Sequence, residues 1–217
     1  MPLRHPLQCR PQRGRECLSR LIFGRFTVSL ERLNTHHERC SSVEIKYCNQ
    51  CGGSVSLATP IGDSHPRHIC VQCGYVHYQN PKVVTGCLVY QGDKVLLCKR
   101  AIEPRLGMWT VPAGFMENGE STRDAAKRET MEESGAIVAM QDLFLVANLP
   151  HANQVYMLYL AELKDTGPHG PETSEVTLFG KDDLPWEEVG FYTVKYGLMR
   201  FFEDLDKGKF SLHEIDF

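Results

Sequence analysis

The stretch Gly114-Phe115-Met116-Glu117-Asn118-Gly119-Glu120-Ser121-Thr122-Arg123-Asp124-Ala125-Ala126-Lys127-Arg128-Glu129-Thr130-Met131-Glu132-Glu133-Ser134-Gly135-Ala136 decides how the rest of the chain is read. Its second half predicts a helix. Ser121 is a good N-cap, with Asp124 three residues on as a capping-box-like partner. Ala125 to Glu129 are mostly strong helix formers, and Gly135 suits the C′ position. Taking Ala125 as zero on a helical wheel, Glu129, Glu132 and Glu133 fall near about 40°, 340° and 80°, so they share one face. Like charges at i,i+4, such as Glu129 and Glu133, destabilise an isolated helix by about 0.2–0.5 kcal/mol. A cation converts that repulsion into binding, and grouped carboxylate oxygens suit Mg²⁺ or Mn²⁺. Arg128 reaches Glu132 at i+4 and can orient it. Gly114 and Gly119 permit a tight entry loop that brings backbone N–H groups and Glu120 towards a metal or phosphate. Two or three glutamates alone would read as a solvated acidic face; the glycine, arginine and glutamate spacing over this length reverses that.

The segment resembles the Nudix box, Gly-x5-Glu-x7-Arg-Glu-U-x-Glu-Glu-x-Gly-U, with U a bulky aliphatic residue. Every Gly, Glu and Arg of the pattern is present, while Thr130 and Ala136 occupy the U positions. Gly107 to Gly114 is similar to the strand that leads into the box. The resemblance implies an α/β fold, a Nudix α/β/α sandwich around a mixed sheet, covering residues 83–205. It also implies divalent-metal-dependent hydrolysis of a nucleoside diphosphate linked to another moiety, X. On that basis Glu129, Glu132 and Glu133 are the Mg²⁺ or Mn²⁺ ligands. Glu120 and the Gly114 carbonyl complete or support them, and Arg128 holds the carboxylates in place. The general base stays open among the box glutamates, Glu172 and Glu175.

Upstream, Cys48-Asn49-Gln50-Cys51 and Cys70-Val71-Gln72-Cys73 form two C-x2-C knuckles separated by eighteen residues. That spacing predicts a small Cys₄ zinc ribbon over residues 44–82, with Zn²⁺ in a structural role because four thiolates close its coordination sphere. Gly52 and Gly74 follow the knuckles and permit a tight turn beneath each thiolate pair. With four sulfurs available, His65, His68 and His77 read as packing or surface residues. The ribbon and Tyr78-Gln79-Asn80-Pro81-Lys82 resemble a Nudix subgroup of bacteria and plant plastids whose plant members act on FAD, with related ribbon-bearing members acting on NADH or ADP-ribose. The Ser-Gln-Pro-Trp signature of NADH pyrophosphatases is absent after the box, which counts against a dedicated NADH enzyme.

The 217 residues, 42% of them apolar, suffice for one sizeable core plus a metal-stapled unit. No apolar run is long enough to span a bilayer. Nine cysteines, four of them in knuckles, leave an odd remainder that suits a reducing compartment. Residues 1–40 carry eight Arg and three Glu, +5, which leaves −8 of the total −3 for residues 41–217. An acidic body argues against an extended nucleic-acid surface. Residues 1–43 read as a basic, unstructured leader of a cytoplasmic protein, or as a plastid or mitochondrial transit peptide.

From residue 83 the pattern is strand-like at 83–90 and 94–98 around a Gln91-Gly92-Asp93 turn, then at 143–147, 155–161 and 175–179. Residues 193–205 predict an amphipathic helix, and 206–217 a C-terminal tail. Cys87 and Cys98 fall in apolar runs as core residues. Trp109, Phe115 and Tyr156 are candidates to stack on adenine or an isoalloxazine ring, although residues in apolar strands are more often core. Arg100 and Arg105 are candidates to bind phosphate. The partner expected is a dinucleotide or nucleotide sugar, FAD first and ADP-ribose second; a homodimer is common in the family that the chain resembles, and the sequence itself carries no interface signature. The competing class is a regulator in which the ribbon binds nucleic acid or the fold senses nucleotide. Removal of a nucleotide cap from RNA lies between the two.

Overall fold

The computed structural model describes residues 44–217; the leader expected over 1–43 lies outside them. Three short strands, β1 (Val55–Ala58), β2 (Arg67–Cys70) and β3 (Val76–His77), form an antiparallel sheet in the order β1-β2-β3. The apolar side chains buried in this part are those of Cys48 and Cys70, and Leu57, Ile61 and Val71 point outward. Such a unit has almost no hydrophobic interior of its own, which is the situation in which a structural metal is needed.

The second sheet contains β4 (Lys82–Gln91), β5 (Lys94–Arg100), β6 (Trp109–Thr110), β7 (Ala113–Phe115), β8 (Ala136–Leu149), β9 (Gln154–Thr166), β10 (Thr173–Phe179) and β11 (His213–Asp216). The order along it is β10-β5-β4-β9-β8-β11, with β6 paired to β5 and β7 to β4. It is mixed: β4 and β9 run parallel, as do β8 and β11, and the remaining pairs are antiparallel. Gly92 turns the β4–β5 hairpin at φ 63°, a conformation open to glycine at little cost.

Two helices, α1 (Thr122–Ser134) and α2 (Tyr192–Lys207), cover opposite faces. Successive residues of the central strands therefore feed different cores. Leu88, Val95, Leu97, Leu158 and Leu160 meet Val194, Leu198, Phe201 and Phe202 of α2. Cys87, Val89, Leu96, Cys98 and Ala161 meet Ala126 of α1. Burial on both faces explains why the strands read as near-continuous apolar runs instead of alternating ones. This is the α/β/α sandwich with a mixed sheet that the resemblance implied. No described helix is long and apolar enough to cross a membrane.

The segment 206–217, expected as a tail beyond the domain, is part of it instead. Helix α2 runs on to Lys207, Gly208 caps it at φ 67°, and β11 adds an edge strand to β8. Asp204, 3% exposed, holds this return: His213 Nε2 lies 2.8 Å from its Oδ2, and the Ser211 N–H donates to the same oxygen at 3.0 Å. Burial alone would raise its pKa, yet those bonds hold it below the ordinary value. The strand itself, His213-Glu214-Ile215-Asp216, has one apolar residue, which hid it from the hydrophobic pattern.

Candidate active site

Helix α1 begins as predicted, with the Ser121 side chain accepting from the Asp124 N–H at 3.1 Å, and ends at Gly135 with φ 68°. It is pinned over β4 and β9. Thr85 Oγ1 donates to the Thr122 carbonyl at 3.0 Å, Thr122 Oγ1 lies 2.7 Å from Tyr159 Oη, and Cys87 Sγ meets the Ala126 carbonyl at 3.5 Å. The two unusual box positions are both buried. Thr130 satisfies its hydroxyl by donating to the Ala126 carbonyl at 2.7 Å, and Ala136 joins the core beneath α1. A polar side chain is thus accommodated where the family pattern has an aliphatic one.

The carboxylates differ in their surroundings. Glu129 is recessed, its side chain 13% exposed, and Glu132 is open at 59%. Glu133 Oε2 accepts from the Ala113 N–H at 2.9 Å. Arg128 ties the group together: Nε and Nη2 form a fork onto Glu120 at 2.6 and 2.9 Å, and Nη1 reaches Glu129 Oε1 at 2.7 Å and Glu132 Oε2 at 2.9 Å. A guanidinium suits this task because its donors lie in a fixed fork. Glu120 is consumed by that fork and by the Glu117 N–H, which pull its pKa down to about 2; its place is in support of the helix carboxylates. Gly114 packs directly against Glu129: a Cβ there would fall 2.4 Å from Glu129 Oε2. Only glycine leaves that space to a carboxylate.

Burial is the first cause of raised pKa values at Glu129 and Glu133, the latter reaching about 7. At Glu133 the neighbouring Glu129 and Glu172 add to the rise, while the Ala113 N–H and Arg100 oppose it. Carboxylates held together against their own repulsion and partly out of water are suited to a divalent cation. The donor set is all hard oxygen, so the residues present fit Mg²⁺ or Mn²⁺.

The other expected residues divide. Glu172 comes close: its charge raises both Glu129 and Glu133, and its carbonyl accepts from the Ala101 N–H at 2.8 Å. Its loop is fastened to the end of α1, with the Gly167 N–H donating to the Gly135 carbonyl at 2.7 Å and Gly170 so near that a Cβ would lie 2.3 Å from the Glu132 carbonyl. Glu175, on β10, is instead 3.8 Å from Lys99. Trp109 is a correction. At 5% exposure, edge-on to Phe179 at 4.9 Å, it belongs to the core and offers no stacking face. Phe115 is 47% exposed beneath Lys82 Nζ, 5.0 Å from its ring centre. Tyr156 is partly buried, its phenol pKa raised by burial and the charge of Glu133. Arg100 stacks over Phe191 at 5.6 Å, and Arg105 is exposed with φ 66°. The Ala113 N–H bond to Glu133 went unseen in the sequence, because a backbone donor leaves no residue-type signal.

In the ribbon, the four sulfurs of Cys48, Cys51, Cys70 and Cys73 all lie within 4.8 Å of one another, with Cys48–Cys73 at 3.8 Å and Cys51–Cys70 at 3.4 Å. Thiolates placed tetrahedrally about 2.3 Å from zinc stand about 3.8 Å apart, so the quartet fits Zn²⁺. The knuckles close as expected, with the Gly52 and Gly74 N–H groups donating to the Cys48 and Cys70 carbonyls at 2.9 and 3.0 Å. His77 is buried, edge-on to Tyr75.

A family model described as "Nudix N-terminal", a zinc ribbon, matches residues 46–79, and one described as "NUDIX domain" matches residues 80–203. An NAD-capped RNA hydrolase NudC from Vibrio cholerae is 32% identical over 151 residues, covering 66% of this chain and 52% of that protein. An ADP-ribose pyrophosphatase from Methanocaldococcus jannaschii is 31% identical over 120 residues, covering 51% of this chain and 69% of its own length. The chain spans about half the length of the NudC relatives it matches. The crystal structure of a NUDIX hydrolase from Nitrosomonas europaea superposes with a TM-score of 0.77 at 47% identity, covering 80% of this chain and 99% of that one.

Proposed function

The chain belongs to the Nudix hydrolase family, with that family's N-terminal zinc ribbon, and from that premise we propose that it hydrolyses the pyrophosphate bond of a nucleoside diphosphate linked to a second moiety. The observation that carries the proposal is the recessed pair Glu129 and Glu133 beside Glu132, arranged by Arg128 over Gly114. A divalent cation bound there supplies charge neutralisation on the diphosphate and acidifies water. The protein's own part is to hold the three carboxylates in one orientation and keep two of them partly dry. Glu172, on the loop fastened to the end of α1 and with no side-chain bond to that helix, is the base that takes the water's proton. The water oxygen forms the new P–O bond as the bridging P–O bond breaks, and two phosphate monoesters leave. Phe115 and Tyr156 supply aromatic surface near the site for the base or the X moiety, and Arg100 a cation.

FAD, giving FMN and AMP, and ADP-ribose, giving AMP and ribose 5-phosphate, are the substrates that the ribbon and its flanks favour. The relative named an ADP-ribose pyrophosphatase supports the second, and those named NAD-capped RNA hydrolases add a capped oligonucleotide to the set. The test is a panel of FAD, ADP-ribose, NADH, nucleotide sugars and NAD-capped RNA, with Mg²⁺ or Mn²⁺ and products identified by mass. Release of AMP from at least one is expected. No turnover on any member defeats the proposal.

A further inference from the structure

The site does not account for a second concavity beyond Arg100, about 170 Å³ in volume and lined by Arg105, Met108, Glu187, Phe191, Tyr192 and Lys195 among others. Its walls are fixed by backbone bonds. The Met108 carbonyl accepts from the Arg100 N–H at 2.9 Å, the Arg105 carbonyl from the Met108 N–H at 3.0 Å, and the Trp109 carbonyl from the Gly190 N–H at 2.9 Å. Trp109 also bridges Val189 in parallel register, and a Cβ on Gly190 would lie 3.1 Å from that of Met108. The cavity is therefore held by the same chain segments that end β5 and begin α2.

Three cations gather around it. Arg105 and Lys195 line it, and Arg100, one residue before the Ala101 N–H that holds the Glu172 loop at 2.8 Å, stacks on its Phe191 wall with its Nε donating to the Pro104 carbonyl at 2.7 Å. Among the described residues none of the three forms an ion pair, and Glu187 at the rim pairs with neither neighbour. Unpaired cations grouped this way stand out in a body whose formal charge is −8 over residues 41–217. Lys195 Nζ lies 6.0 Å from the Tyr192 ring, so its stem is directed along the aromatic wall. The volume is below the roughly 300–1,000 Å³ of sites that engulf a drug-sized ligand, so it takes a group and not a ring system.

We propose that this cavity binds a phosphate monoester on the ribose of the substrate, in addition to the diphosphate that is cleaved. Resting on the hydrolase reading, this makes an adenosine diphosphate derivative phosphorylated at the 2′- or 3′-hydroxyl a tighter ligand than the same compound without that phosphate. Arg105 supplies planar donors and Lys195 a compact charge, the two usual partners of a phosphate.

The test is calorimetry of the full chain with AMP, adenosine 2′,5′-bisphosphate and adenosine 3′,5′-bisphosphate, alongside ADP-ribose turnover. One bisphosphate is expected to bind about tenfold more tightly than AMP, the worth of one charge-assisted contact. Which one does so identifies the hydroxyl. Lys195→Ala should bring the ratio to about one and Lys195→Arg restore it, with Arg105→Ala as a second route to the same loss. Bisphosphates binding no better than AMP, or an advantage that survives in folded Lys195→Ala and Arg105→Ala, overturns the proposal. If the advantage is found but no diphosphate is hydrolysed, the hydrolase reading fails and the phosphate site stands.

Discussion

The chain holds two ligand clusters built on opposite principles. In the ribbon, four sulfurs from two loops converge within 4.8 Å, and the apolar side chains buried around them are two of the cysteines themselves. On α1, the carboxylates belong to one helix packed on a complete sandwich, with Arg128 bonded to Glu129 and Glu132. The ribbon needs its ion to be a structure; the helix is a structure before any ion arrives. Closed soft donors therefore mark a scaffold, and open hard donors a place where ligands exchange.

The sharpest way to break this contrast is to exchange the lesions. Glu129→Gln should lower kcat/KM by more than about a hundredfold, the upper figure for outer partners of a metal ligand, while zinc content and melting temperature stay near wild type. Cys51→Ser should do the reverse to the fold: zinc is lost, amide exchange in residues 44–82 becomes fast, and the sandwich keeps its slow core. Loss of both properties from either variant would show that the regions are not separable.

Arg128→Lys gives a smaller, graded effect. Lysine keeps the charge but not the fork that serves Glu120, Glu129 and Glu132 together, so about a 10–100-fold fall in kcat/KM is expected. Activity within twofold of wild type would mean that the carboxylates need no such organiser.

The smallest effect is in pH. Burial lifts Glu133 from 4.5 to about 7, so between those values the folded chain keeps a proton that the unfolded chain has lost. Its contribution is fully present below about pH 4.5 and is lost as pH rises towards 7. Without divalent metal, the wild type should lose melting temperature relative to Glu133→Gln across that window, and millimolar Mg²⁺ should flatten the difference. A difference unaltered by Mg²⁺ would detach Glu133 from the metal.

The parts legible in the sequence were those written in residue type and spacing. The cap at Ser121, the stop at Gly135, the Arg128–Glu132 pair and the cysteine quartet are all where the pattern put them. The central strands were visible because they are buried on both sides. What the pattern missed depends on partners distant in sequence. β11 has a weak apolar signal and is held by Asp204 and by β8; Trp109 is claimed by Phe179; Arg100 finds Phe191 ninety-one residues away. In the long β8, register shifts between Ile137 and Leu145 break up the periodicity.

In the layer between α1 and the sheet, the buried side chains of the helix are all small: Ala125, Ala126, Thr130 and Ser134. Cys87, Ala126 and Ala161 line it, and the sulfur of Cys87 touches a carbonyl of the helix. The altitude of the whole acidic constellation is therefore set by residues that never meet a nucleotide. Enlarging one of them would lift every carboxylate together, like shimming an instrument at its mount, so reactivity can be retuned from underneath without altering any group that performs it.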